Sequence, residues 1–93
     1  MENRFIAAWA QAREQAAKIG VRMRPVPPED AMKTAHRCLG SHRESDGFSA
    51  LADKHRLALS LEALAVDKRY TQLFSDEEVN NALSRLLSAG YRF

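Results

Sequence analysis

The stretch FSDEEVNNALSRLLSAGY, residues 74–91, carries the signals for both ends of one helix. Ser75 is placed to accept a hydrogen bond from the backbone N–H of Glu78, and the Glu78 side chain can reach back to the Ser75 N–H, which makes a reciprocal capping box. Gly90 suits the left-handed conformation that closes many helices. These signals predict a helix over residues 76–88, with a core stripe formed by Val79, Ala82, Leu83, Leu86 and Leu87.

The composition of the whole chain favours helices over strands. Among its 93 residues, 15 are Ala and 10 are Leu, whereas Val, Ile and Thr together number eight. Ala and Leu lose little side-chain entropy in a helix, while β-branched residues are the ones that strands prefer. The sequence shows no internal repeat and no domain boundary. We therefore predict an all-α fold with residues 1–93 as a single helical domain.

A first helix is predicted over residues 3–19 and ends at Gly20. Its apolar face at helical spacing consists of Phe5, Trp9, Ala12, Ala16 and Ile19. The chain from 21 to 28 then holds three prolines, each of which pushes the residue before it out of the helical region. This segment is predicted to be an extended connector.

Two further helices are predicted in the middle of the chain. The second runs from Pro28 to about Leu39, with a short buried face of Met32, Ala35 and Leu39. The third spans 48–66 and is apolar on two opposite sides. One side holds Phe48, Ala52, His55, Leu59, Ala63 and Val66, and the other holds Ala50, Leu57, Leu61 and Leu64. A helix that is apolar on two faces is central in its domain or covered by a partner.

These four helices predict a small four-helix bundle or an orthogonal helical array packed around the third helix. The other three helices offer one apolar stripe each, so the two faces of the third helix compete for covering surface. Since soluble monomers rarely leave large apolar patches open, we predict a homodimer or a bound partner at this helix or at the Trp9 helix. The candidate contact residues are Trp9, Leu57, Leu61 and Leu64.

The cysteine and histidines do not have the spacing of a metal site. A structural zinc site shows paired short-range ligands, whereas this chain has one cysteine, Cys38, with His36, His42 and His55 around it. His55 lies on the apolar face of the predicted third helix and is interpreted as a core histidine. No oxyanion turn, phosphate loop or acid–base pair is present. We therefore expect no metal, no cofactor and no enzymatic activity.

A basic segment between Lys18 and Arg43 is the strongest candidate for a binding site. The whole chain has 14 basic and 12 acidic residues, a net charge of +2, but this segment has six cations against Glu29 and Asp30. The cations that carry the prediction are Arg22, Arg24, Lys33, Arg37 and Arg43. Arg22 and Arg24 alternate along the proline-rich connector, so both are expected on the same side of it.

Two functions are compatible with this segment. The first is a small regulatory or adaptor protein that binds another protein through the basic arm and the apolar helix face. The alternative is a small nucleic-acid-binding regulator that contacts phosphate through the basic 18–43 segment. The outward face of the last helix also offers hydrogen-bonding groups, at Asn80, Asn81, Ser84, Arg85 and Ser88. Three carboxylates at the start of that helix would repel phosphate, which argues against this helix as one that reads DNA.

The chain is not predicted to enter a membrane. No apolar run approaches the ~20 residues that span a bilayer. The single cysteine excludes an internal disulfide, which favours a reducing compartment. A cytoplasmic protein is therefore expected.

Overall fold

The computed structural model describes residues 2–41 and 43–91, and within them it contains five α-helices, three single 3-10 turns and no strand. The all-α prediction is confirmed, although the described part of the chain has five α-helices where four were expected. The α-helices are α1 (Glu2–Lys18), α2 (Ala31–Gly40), α3 (Phe48–Asp53), α4 (Leu61–Ala65) and α5 (Asp76–Ser88). The 3-10 turns are Pro28–Asp30, Leu57–Leu59 and Thr71–Leu73.

Helix α1 ends as the sequence predicts. Gly20 adopts a left-handed φ of 86°, and the Val21 N–H donates to the Ala16 carbonyl at 2.9 Å. This pair of features is a Schellman closure, which satisfies carbonyls that have no partner inside the helix. Val21 and Ala16 are both buried in the same cluster. The predicted core face is present: Phe5, Trp9, Ala12 and Ala16 are buried.

Helix α5 has both predicted ends. The Ser75 N–H donates to Glu78 Oε1 at 2.8 Å, and the Glu78 N–H donates to Ser75 Oγ at 3.1 Å. At the other end Gly90 has a φ of 83°, and the Tyr91 N–H donates to the Leu86 carbonyl at 2.9 Å. The core stripe is confirmed at Ala82 and Leu86, which are buried, but Leu87 is 62% exposed.

The prediction of one long third helix over 48–66 is wrong. Helix α3 stops at Asp53, and His55 takes a left-handed φ of 58° that an α-helix does not contain. A new helix then starts at Ser60, whose Oγ accepts from the Ala63 N–H at 3.1 Å. His55 is exposed and is not the core histidine that was expected.

The break explains why the sequence carries apolar residues on two sides. Phe48 and Leu51 in α3, and Leu57 and Leu61 beyond the turn, all reach the interior because the chain changes direction between them. Two short segments therefore produce what looks like one helix with two apolar faces. The argument for a partner that covers the second face does not apply to this geometry.

The core consists of two hydrophobic clusters. In the first, Phe5 lies at the centre, with ring centroids 5.5 Å from Tyr70 and 5.2 Å from Phe74. The second joins the end of α1 to α3 and α5 through Phe48, Leu51 and Leu86. Helix α5 packs against both α4 and α2. No helix in the described ranges is long and apolar enough to cross a membrane.

Candidate functional site

A cleft of about 380 Å³ brings three of the five predicted cations together. Its charged wall consists of Arg24 from the connector, Arg37 from α2 and Arg43 from the following loop, joined by Arg13 from α1. We call it the arginine cleft. Its apolar lining is formed by Trp9, Met23, Val26 and Leu61.

Local structure places each cation in the wall. On α1, Trp9 and Arg13 are four residues apart and so share one face. On α2, Arg37 and Cys38 follow Thr34 by three and four residues, so both lie near it on the cleft side.

The connector is extended as predicted, and a hydrogen bond joins it to the loop that follows α2. It has no regular secondary structure from Val21 to Pro27, with Val21 buried and Met23 partly buried. Arg22 and Arg24 alternate with them and are exposed. The Arg24 backbone N–H donates to Asp46 Oδ2 at 2.6 Å, which joins the connector to the loop that carries Arg43.

The other predicted contact residues are distributed differently. Arg22 and Lys33 are exposed but do not line the cleft. Leu57 and Leu61 are only 5% and 1% exposed, so the predicted open face of leucines is not present. Leu64 is partly buried, in a shallow groove on another side of the molecule. Trp9, at 6% exposed, belongs to the floor of the arginine cleft and not to an open surface.

Arg13 is the cleft residue that the sequence interpretation missed. Its guanidinium carbon lies 4.8 Å from the centroid of the Trp9 ring, a cation–π geometry. Burial lowers the pKa of Arg13 from its ordinary value. The sequence signal was present: an arginine four residues after the only tryptophan, on the face predicted to be apolar.

The four arginines of the cleft are not tied up in ion pairs within the part of the chain that the structure describes. Two carboxylates, Glu44 and Asp46, also line the cleft and are exposed at its rim. Guanidinium groups stay protonated and only donate hydrogen bonds. The arrangement is therefore suited to binding an anion.

A buried ion pair holds the loop wall of the cleft in place. Glu62 is fully buried and accepts from the Ser45 N–H at 2.9 Å and from the Ser45 hydroxyl. Arg85 Nη1 donates to the same carboxylate at 3.1 Å. Ser45 lines the cleft between Arg43 and Asp46, so this network fixes the segment that supplies one of the four cations.

Helix α5 also fixes the end of α2. Arg85 donates to the Cys38 carbonyl at 3.2 Å and to the Ser41 carbonyl, and Asn81 Nδ2 donates to the Leu39 carbonyl at 2.9 Å. These donors satisfy carbonyls that lack partners at a helix C-terminus. The prediction that Arg85 and Asn81 face outward is thus wrong, because both side chains clamp α2 instead.

Cys38, His36 and His55 do not come together in one cluster with other metal-ligating side chains among the described residues. The Cys38 thiol is partly buried, and its pKa is raised by burial and by the Glu62 carboxylate. His36 Nδ1 contacts Glu78 Oε2 at 2.7 Å, on the far side of α2 from the cleft. His42 lies outside the described residues. No cluster of three metal-ligating side chains occurs in the part of the chain that the structure describes.

Comparison with family models, with curated proteins and with solved structures finds no match to this chain.

Proposed function

We propose that this chain is a small regulatory or adaptor protein that binds an acidic segment of a partner protein in the arginine cleft. The observation that supports the proposal is the group of four arginines around an apolar floor, none of which forms an ion pair with another described residue. Positive charge of this kind favours a negatively charged partner and accelerates its association. The apolar floor adds a surface on which the side chains of a peptide can pack.

The shape of the site favours a peptide over a nucleic acid. A volume of about 380 Å³ with a partly apolar lining is at the small end of ordinary ligand pockets. Nucleic-acid contacts are instead spread along a phosphate backbone. Arg22 and Lys33, which would extend the basic surface for such a backbone, do not lie in the cleft.

The proposal is tested with a labelled, capped peptide of glutamate and leucine residues, followed by fluorescence anisotropy. Wild type is compared with Arg24→Ala/Arg37→Ala. The matched control is Arg22→Ala/Lys33→Ala, which removes two exposed cations of the same segment from outside the cleft. Because hydrogen bonds to charged groups contribute about 1.5–3 kcal/mol each, we expect the cleft variant to bind at least about tenfold more weakly. The control should stay near wild type.

Two outcomes contradict the proposal. If both double variants lose the same affinity, the binding is non-specific attraction between net charges. If an oligonucleotide of equal charge binds more tightly than the peptide, with a steep salt dependence, the nucleic-acid alternative replaces the protein partner.

A further inference from the structure

We infer that Arg13 is the anchoring residue of the arginine cleft and that it takes a glutamate or aspartate carboxylate of the bound segment, next to an apolar side chain packed on the cleft floor. The inference rests on the proposed function and names the group that gives the site its specificity.

The first argument is an unpaired donor. Arg13 Nη1 is buried and has no hydrogen-bond partner within residues 2–41 and 43–91. A buried polar group without a partner is costly, and more so when it is charged. Nη1 itself is enclosed by the protein, but the guanidinium lines the cleft, so a carboxylate bound to its cleft side would compensate the charge of this partly buried group.

The second argument is that Arg13 is held in place while the other three cations are not. Its guanidinium stacks on the Trp9 ring at 4.8 Å, and Trp9 is itself packed among Phe5 and the rest of the first cluster. Arg24, Arg37 and Arg43 are exposed. A preorganised group loses less conformational freedom on binding, so it gives more affinity per contact.

The third argument concerns the chemistry of the anion. Guanidinium binds planar carboxylates through two parallel hydrogen bonds. Glu44 and Asp46 stand at the rim, and their charge repels a doubly charged phosphate more than a singly charged carboxylate. Beside Arg13, Met23 and Val26 are only partly buried and present apolar surface. The matching ligand is thus a carboxylate with an apolar neighbour, as in an acidic, leucine-containing peptide.

The test uses two reporters that the chain already carries in the cleft. Trp9 is the only tryptophan and Cys38 the only cysteine. The glutamate–leucine peptide is titrated against wild type, Arg13→Lys and Arg4→Lys. Binding is followed by Trp9 fluorescence and by protection of Cys38 from a thiol reagent. Arg4 lies exposed on the same helix, outside the cleft, so Arg4→Lys is the matched control. Circular dichroism checks that each variant keeps its helices.

We expect Arg13→Lys to weaken peptide binding at least about tenfold, because lysine keeps the charge but loses the bidentate fork. Arg4→Lys should bind like wild type. A peptide with glutamine in place of glutamate should bind all three proteins weakly and to the same extent. Bound peptide should slow the reaction of Cys38 in wild type and Arg4→Lys.

The experiment distinguishes a failure of the Arg13 inference from a failure of the proposed function. If Arg13→Lys binds like wild type while Arg24→Ala/Arg37→Ala does not, Arg13 is not the anchor and the proposed function stands. If a matched phosphoserine peptide binds more tightly than the glutamate peptide and is equally sensitive to Arg13→Lys, the carboxylate assignment is overturned. If wild type binds none of the peptides, both the anchor and the proposed function fall.

Discussion

Glu62 and Arg85 form an ion pair inside the chain, where α4, α5 and the loop after α2 meet. The Glu62 side chain is fully buried and that of Arg85 is 10% exposed. A buried pair of this kind adds little net stability compared with apolar residues, but removing one partner leaves a charge without compensation. The role of the pair is to set the position of the loop relative to both helices.

At the scale of this residue pair, Arg85→Leu should lower the free energy of unfolding by about 3–5 kcal/mol. The variant leaves the Glu62 carboxylate unpaired and also frees the carbonyls of Cys38 and Ser41. The double variant Glu62→Leu/Arg85→Leu should recover part of this loss, because no buried charge remains, although the Ser45 N–H and hydroxyl lose their acceptor. Urea denaturation measures the free energy of unfolding of both variants. A double variant less stable than Arg85→Leu would show that the hydrogen bonds from Ser45 to Glu62 contribute more than the unpaired charge costs.

At the scale of the elements, the turn between α3 and α4 is the feature that most changes the fold. The chain stops one helix at Asp53, passes through a left-handed His55 and starts the next helix at the Ser60 cap. A side chain in this conformation costs energy that glycine does not pay, and a β-branched side chain suits it least.

Substitution of the left-handed residue His55 tests directly whether the chain is interrupted between α3 and α4. His55→Val should be less stable than His55→Gly by about 1–2 kcal/mol in thermal or urea unfolding. In an uninterrupted helix the order would be reversed, because glycine is a poorer helix former than valine. His55 is exposed, so the comparison tests the backbone and not core packing.

The start of α5 is the second element whose contribution can be measured. Burial raises the pKa of Glu78, but hydrogen bonds from the Ser75 N–H and from His36 outweigh it and hold the pKa below its ordinary value of 4.5. A lowered carboxyl pKa means that the charged form is stabilised in the folded protein. This contribution is present above pH 4.5 and is lost as the pH falls through the folded-state pKa.

Two substitutions follow from this cap. Ser75→Ala should cost about 0.5–2 kcal/mol at neutral pH. Glu78→Gln should flatten the loss of stability as the pH falls below about 4.5, since a glutamine has no proton to gain. Glu77→Gln, in the same turn but outside the capping box, is the control. The urea unfolding midpoint of each variant is measured at a series of acidic pH values. If the midpoint of Glu78→Gln falls with pH as steeply as that of wild type, Glu78 does not cause the acid-dependent loss of stability.

At the scale of the whole molecule, the apolar residues are covered by the chain itself. Among the described residues, Leu87 is the large apolar side chain that is clearly exposed, at 62%. Leu61 is 1% exposed and is buried by its own chain. Leu57 and Leu61 are therefore not available for the dimer contact that the sequence predicts, and our prediction for wild type in solution is a monomer.

The pair Leu61→Glu and Leu87→Glu tests that expectation. A buried carboxylate costs several kcal/mol against a total stability of about 5–15 kcal/mol, so Leu61→Glu should unfold the protein. Leu87→Glu should change the stability by less than about 0.5 kcal/mol. Light scattering of wild type over a wide concentration range should give one monomer mass. A mass that doubles with concentration, and that Leu87→Glu reduces, would restore the dimer.

The all-α class and the ends of α1 and α5 can be predicted from local sequence patterns. The capping box at Ser75 and the glycines Gly20 and Gly90 act through hydrogen bonds between residues at most five positions apart, so their geometry can be inferred without knowing the rest of the fold. Sequence analysis also singled out three of the four arginines of the cleft, Arg24, Arg37 and Arg43, because they belong to one basic stretch of chain.

The break in the middle of the chain and the set of cations that share the cleft became known only from the three-dimensional fold. The periodicity of 48–66 fits one helix as well as two. The Arg56 N–H closes α3 on the Leu51 carbonyl at 2.8 Å as at the other two helix ends, but the left-handed residue there is His55 and not a glycine that would mark the end in the sequence. Arg13 joins Arg37 across α1 and α2, 24 positions apart in the chain. Such long-range contacts depend on how the helices pack, which no local pattern in the sequence encodes.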